Sequence, residues 1–140
     1  PGLERMGPGG FAENLTVEVF DESSVCIGDV FEAGSVIVQV SAPRGPCAGI
    51  SRWWNEPRMV KLATETARIG WYLRVRREGT LERGDTLRRV ERPLPGLSVA
   101  RVFRLRVGLE HGAGAVRALI ACPELPPEWR GHFEEIAARV

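Results

Sequence analysis

From Phe11 to about Gly96 the chain is a succession of short β-type runs broken by glycine, proline and aspartate, a rhythm that limits the available folds more than any other feature. LTVEVF, from Leu15 to Phe20, alternates in period two, with Leu15, Val17 and Val19 on one face and Thr16, Glu18 and Phe20 on the other. That pattern predicts a half-buried strand. VCIGDVF, from Val25 to Phe31, carries a Gly28-Asp29 turn signal, and the β-branched run from Gly34 to Pro43 predicts a strand buried on both faces. WYLRVRREG, from Trp71 to Gly79, alternates again, and a second pair, Gly84-Asp85, precedes a further strand from Thr86 to Glu91. The flanks of the two Gly-Asp pairs differ too much for an internal repeat. Many short strands with regular turns favour a barrel or sandwich over a parallel α/β sheet.

One helical interruption is expected after Cys47, where Met59, Leu62, Ala63 and Thr66 fall at helical spacing behind Pro57. From Leu97 the character changes. SVARVFRLRV fits either a strand or a helix, with Ser98 placed as an N-cap in the second case. GAGAVRALIAC and PPEWRGHFEEIAARV read as helices, the latter with Trp129, Phe133 and Ile136 on one face. The expectation is an α+β chain: a core of mostly antiparallel strands over residues 1–96 and a small helical segment over residues 97–140 that packs on the strands or on another subunit.

A chain of 140 residues with 44% hydrophobic and 26% charged content is long enough for one globular unit and too apolar for general disorder. No apolar run approaches the roughly 20 residues of a membrane span. PGLERMGPGG lacks the basic-then-apolar profile of a signal peptide. The net charge of +1 argues against a nucleic-acid polymer as partner, although all the basic residues but Lys61 are arginine, which suits bidentate contacts with a local anion. Cys26, Cys47 and Cys122 are odd in number and widely spaced, which argues against a disulfide framework or a structural zinc site and for a reducing cytoplasm. No glycine-rich phosphate loop and no Ser-His-Asp order is present, so an enzyme of this sequence needs a cofactor for the difficult step.

Cys47 stands out because it follows Pro-Arg-Gly-Pro directly after a buried strand, in a loop that two prolines stiffen. Arg44 and Arg52 on either side favour a thiolate able to attack an electrophile or ligate a metal. The residues alone leave open whether Cys47 reacts or merely fills the loop. Cys26 and Cys122 sit in apolar runs and read as core. Glu13-Asn14 place a carboxylate and an amide where a loop enters a strand. Asn14 either stabilises that turn or anchors a ligand. His111 and His132 lack acidic neighbours at ligand spacing and are expected at the surface. Of the adjacent Trp53 and Trp54, one is expected in the core and the other along a groove, and Trp71-Tyr72 poses the same choice.

Five segments in series, GPGGFAENLTVE, VCIGDVF, VSAPRGPC, RIGWYLRVRREGTLERGDTL and ERPLPGLSVARVFRL, resemble the MOSC domain family (molybdenum cofactor sulfurase C-terminal domain) in its YiiM-type branch. PELPPEWRGHF is similar to the three-helix segment that follows the barrel in that branch. The resemblance implies a MOSC-type β-barrel that binds the molybdenum cofactor, with Cys47 as the protein ligand to the metal. It implies that Asn14, Arg44 and, beside them, Glu13 hold the phosphate and pterin edge of the cofactor. The implied reaction is the reduction of a small N-hydroxylated substrate, such as a hydroxylaminopurine, to an amine. A separate flavin or iron–sulfur reductase would supply the electrons. The YiiM-type branch also carries an upstream region that helps build barrel and pocket, whereas this chain begins just before GPGGF. Open sheet edges covered by a second copy, a non-catalytic binding or assembly module, and a sulfur carrier with a persulfide on Cys47 are therefore further expectations.

Overall fold

Two segments of the form x-x-Gly-Asp set the turns from which the sheet is built. In the computed structural model, which describes residues 6–139, the backbone amide of Asp29 donates to the Cys26 carbonyl at 3.1 Å, and the Asp29 carboxylate accepts from the Cys26 amide at 2.9 Å. Asp85 closes on Glu82 in the same way, with bonds of 3.1 and 2.8 Å. Gly28 and Gly84 occupy the third position at φ of 83° and 94°, a conformation that glycine adopts without the Cβ clash other residues suffer. Residues 1–5, half of the segment read above for a signal profile, and Val140 at the end of the last expected helix lie outside the described residues.

The strands are β1 (Val30–Ala33), β2 (Val36–Pro43), β3 (Trp71–Arg77) and β4 (Arg88–Glu91), in the order β3-β2-β1-β4 with every pairing antiparallel. The β-branched run becomes β2 at the centre, and its last six residues are all buried, as expected for a strand covered on both faces. The expected barrel is not formed among the described residues: the four strands make an open sheet whose outer edges are β3 and β4. Nor is Leu15–Phe20 a strand. The loop before it is anchored near Cys47, and the turn after it is closed by Asp21 and Ser24. Between these anchors the segment pairs with no edge, so its alternation has no ladder to act on. Leu15 and Val19 end 45% and 86% exposed, whereas Phe20, expected on the polar face, packs edge-on against Phe31 at 5.0 Å between ring centroids.

The helical interruption resolves into α1 (Ala48–Trp53) and α2 (Met59–Thr66). The ambiguous SVARVFRLRV run is a helix, α3 (Val99–Arg106), because Ser98 caps it: its side chain accepts from the Arg101 amide at 3.3 Å. Buried Val99, Val102, Phe103 and Leu105 then all face the sheet and the following helices. Two further helices, α4 (Ala113–Ile120) and α5 (Pro127–Ala138), pack against each other. One continuous apolar core joins Phe31, Val38 and Val40 of the sheet to Leu119 of α4 and Trp129 and Phe133 of α5.

Beneath the sheet, the Asp29 carboxylate is fully buried and receives Arg92 through Nε at 2.9 Å and Nη2 at 2.6 Å. Arg92 also donates to the Ser24 carbonyl at 2.7 Å. This forked pair ties the first Gly-Asp turn to the chain leaving β4. No helix among the described residues is long and apolar enough to cross a membrane.

Candidate functional site

The buried end of β2 delivers the chain into Arg44-Gly45-Pro46 and then into Cys47, which stands at the N-cap of α1 with extended backbone. Cys47 is exposed, while Cys26 and Cys122 are buried as the sequence led us to expect. Burial, followed by a 3.3 Å contact with the Glu124 carboxylate, pushes the Cys122 thiol above its ordinary range. The Cys47 sulfur turns toward the first turn of its own helix, where a Cβ on Gly49 would lie 3.4 Å from it.

The glycine-rich N-terminal loop is seated against this cysteine loop. The Arg44 amide donates to the Gly70 carbonyl at 3.0 Å, and Arg44 Nη1 donates to the Phe11 carbonyl at 2.5 Å, 33 positions away. Trp54 Nε1 donates to the Gly10 carbonyl at 2.7 Å. Gly10 is required for this approach, because a Cβ there would fall 2.5 Å from Met6 Cγ and 3.4 Å from the Trp54 ring. Neither tryptophan of the pair fills the core: Trp54 clamps the loop, and Trp53 is 80% exposed. Aromatic hydrophobicity predicted burial of one ring, but the Trp54 indole is held by its hydrogen bond to the N-terminal loop.

Glu13 does the work that turn chemistry had suggested for Asn14. Its carboxylate accepts from the Gly9 amide at 2.7 Å, the Phe11 amide at 2.9 Å and the Thr16 hydroxyl at 2.9 Å. Burial, the largest single influence, raises its pKa, but hydrogen bonds from the Glu13 and Gly9 amides, the Thr16 hydroxyl and the Phe11 amide together bring it below its ordinary value. Asn14 is exposed, and its amide makes no hydrogen bond among the described residues. Glu13, Asn14, Arg44 and Cys47 are therefore carried on two loops that Arg44 and Trp54 bind together.

Beside the cysteine loop opens a cleft of about 340 Å³, near the lower limit of small-molecule pockets. It is lined by Pro43, Gly45 and Pro46 and by Val60 and Thr64 of α2 and Tyr72 of β3. Phe103, Arg106 and Val107 at the end of α3 and Trp129 of α5 complete the lining. Tyr72 is thus the groove member of its pair, while Trp71 packs against the core. Sequence reasoning did not reach Arg106 or Trp129. Trp129 was visible only as part of an apolar helical face, and no spacing links Arg106 to Cys47. His111 is exposed, but His132 is half-buried, its Nε2 3.1 Å from the Arg106 carbonyl. Among the described residues no group of three or more His, Cys, Asp or Glu side chains is arranged to hold a metal ion.

Comparison with known proteins adds to this geometry. Residues 2–88 match the MOSC domain, and residues 97–135 match the YiiM-like, 3-alpha helix domain. The chain is 35% identical over 127 residues to a protein named "Reductase" from Gibberella moniliformis, covering 90% of this chain and 22% of that protein. It is also 35% identical over 123 residues to uncharacterized protein YflK of Bacillus subtilis, covering 88% of this chain and 56% of YflK. The chain therefore spans between about a fifth and just over half of the length of these relatives. The fold is similar to the crystal structure of YiiM from Geobacillus stearothermophilus, with a TM-score of 0.87, 34% identity and coverage of 94% of this chain and 67% of that one.

Proposed function

Because the chain belongs to the MOSC domain family, we propose that it forms part of a molybdenum-cofactor protein that reduces N-hydroxylated compounds to amines, with Cys47 as the protein ligand to the metal. The observation that carries this reading is the position of the sulfur: Cys47 is exposed at the N-cap of α1, next to Pro46 of the cleft wall, whereas the other two thiols are enclosed. The donor set fits the cofactor. The one exposed thiol among the described residues supplies a soft thiolate, which suits molybdenum, and a pterin dithiolene would bring the metal's remaining sulfur donors. The name of the Gibberella relative supports redox chemistry as the reaction class.

The bound cofactor would supply the two-electron redox step: with two protons, the N–O bond is cleaved, leaving an amine and water. The protein's part is to bind and orient. Pro43 and Pro46 stiffen the loop that presents the Cys47 sulfur. Among the described residues the Arg44 side chain donates through Nη1 to Phe11, which leaves further donors for an anionic group, and the Asn14 amide adds a neutral donor from the glycine-rich loop. Glu13 acts by holding that loop in shape. The electrons come from a separate flavin or iron–sulfur reductase.

The test is molybdenum and pterin content of the protein after production in a molybdenum-replete host. Cys47→Ala should lose the metal and stay folded, whereas Cys26→Ala should lose stability and keep it. Equal retention in both would overturn the ligand assignment. Absence of molybdenum and pterin from the unmutated protein would favour a non-catalytic module.

A further inference from the structure

The cleft beside the cysteine loop has a single charged lining residue, Arg106, among walls that are largely apolar, with Pro46, Val60, Phe103 and Trp129 prominent. The Arg106 guanidinium carbon lies over the Trp129 ring, 4.0 Å from its centroid, within cation–π distance. Its main-chain carbonyl is tethered by His132 Nε2 at 3.1 Å. Yet the side chain, on a half-buried residue, forms no ion pair and donates to no protein acceptor among the described residues. A guanidinium carries five donors in a fixed fork, and a contact with the indole face locates it without using any of them. Such an arrangement suits a pair of anionic oxygens, and the apolar walls suit a flat ring attached to them.

We infer that this cleft is a binding site for flat, mainly apolar molecules bearing one anionic oxygen group, and that Arg106, braced by Trp129, selects them. The inference rests on the reading above in taking the cleft beside Cys47 as the substrate side of the site. It adds a specificity determinant contributed by the helical segment. Arg106 is a positioning and recognition residue with no part in the redox step, and an uncharged N-hydroxylated ring is a poorer ligand than one carrying a carboxylate or phosphate.

The experiment uses the metal-free chain, so that its failure is separable from failure of the molybdenum assignment, which is read from metal content in the Cys47 variant. Benzoate, phenyl phosphate, benzamide and inorganic phosphate are titrated while the Trp129 indole and Arg106 Nε–H signals are followed by NMR. Benzoate or phenyl phosphate should shift both signals and bind at least about tenfold more tightly than benzamide, in line with the strength of charge-assisted hydrogen bonds. Whichever of the two binds more tightly identifies the anion. Arg106→Gln should remove this preference, Arg106→Lys should keep part of it, and Thr64→Leu, which fills the cleft from α2, should weaken all ring ligands. Arg106 also borders a second cavity of about 290 Å³ with His111 and Arg139, so a His111→Gln/Arg139→Gln variant serves as control and should bind benzoate unchanged. Three results would overturn the inference: benzamide binding as well as benzoate, inorganic phosphate binding as tightly as phenyl phosphate, or loss of binding in the control variant alone.

Discussion

Replacing Arg92 by leucine should destabilise the protein more than any other single change at a partly exposed position. The substitution leaves the Asp29 carboxylate, 0% exposed, with only the Cys26 amide as donor and also frees the Ser24 carbonyl. Removing one partner of a buried pair costs about 3–5 kcal/mol, because the remaining charge is neither solvated nor matched. The Arg92 side chain is 28% exposed, so water reaches the vacated space and the lower figure, about 3 kcal/mol, applies. For a chain of this length the unfolding entropy is about 0.3 kcal/mol/K, which makes the expected fall in Tm about 10 °C. Differential scanning calorimetry reads this directly. Asp29→Ala/Arg92→Leu should cost less than the two single changes together, since the second removes a group the first has already left unpaired. A fall below about 2 °C, the range of an ordinary surface substitution, would refute the claim that this pair ties the first turn to the chain leaving β4. Strict additivity in the double variant would show that the two side chains act independently.

Other expectations follow from the same structure. Iodoacetamide should add one label to the native protein, at Cys47, and three after unfolding in denaturant, as intact mass would show; native labelling at Cys26 or Cys122 would contradict their burial. Gly28→Ala forces a side chain into φ of 83° and places its Cβ 2.7 Å from Pro93 Cγ, so a loss of about 2 kcal/mol is expected in urea unfolding, and a neutral result would mean that the turn relaxes freely. Ser98→Ala should cost about 1 kcal/mol through loss of the α3 cap, measured in the same way. The pKa of Glu13 is lower folded than unfolded, so its contribution is complete above the ordinary value of 4.5 and disappears as pH falls through the depressed folded value. Trp54 indole shifts should accordingly report loosening of the glycine-rich loop only in that acidic window, and Glu13→Gln should show it at neutral pH.

The local and the non-local parts of this molecule were legible to different degrees. The Gly-Asp turns, the buried central strand, the cap at Ser98 and the interior placement of Cys26 and Cys122 depend on residues within a few positions of one another, so turn chemistry, branching and apolar context were enough to find them. The alternation of Leu15 to Phe20 was equally plain, yet it misled, because a strand exists only where an edge is presented to it and this segment is pinned at both ends. Trp53 and Trp54 show the same limit: their hydrophobicity argued for burial, but a carbonyl 44 positions away decided where Trp54 went.

What the sequence determined by itself was the repertoire: antiparallel strands, a helical C-terminal part, and one cysteine in a stiff, arginine-flanked loop. Only the tertiary structure decided that the sheet of the described residues is open, that Glu13 shapes its loop while Asn14 is exposed, and that Arg106 and Trp129 line the cleft beside the cysteine loop. The physical reason is that turns, caps and strand propensity arise from short-range sterics and hydrogen bonding. A cleft arises from which distant surfaces the core draws together, and no periodicity along the chain records that.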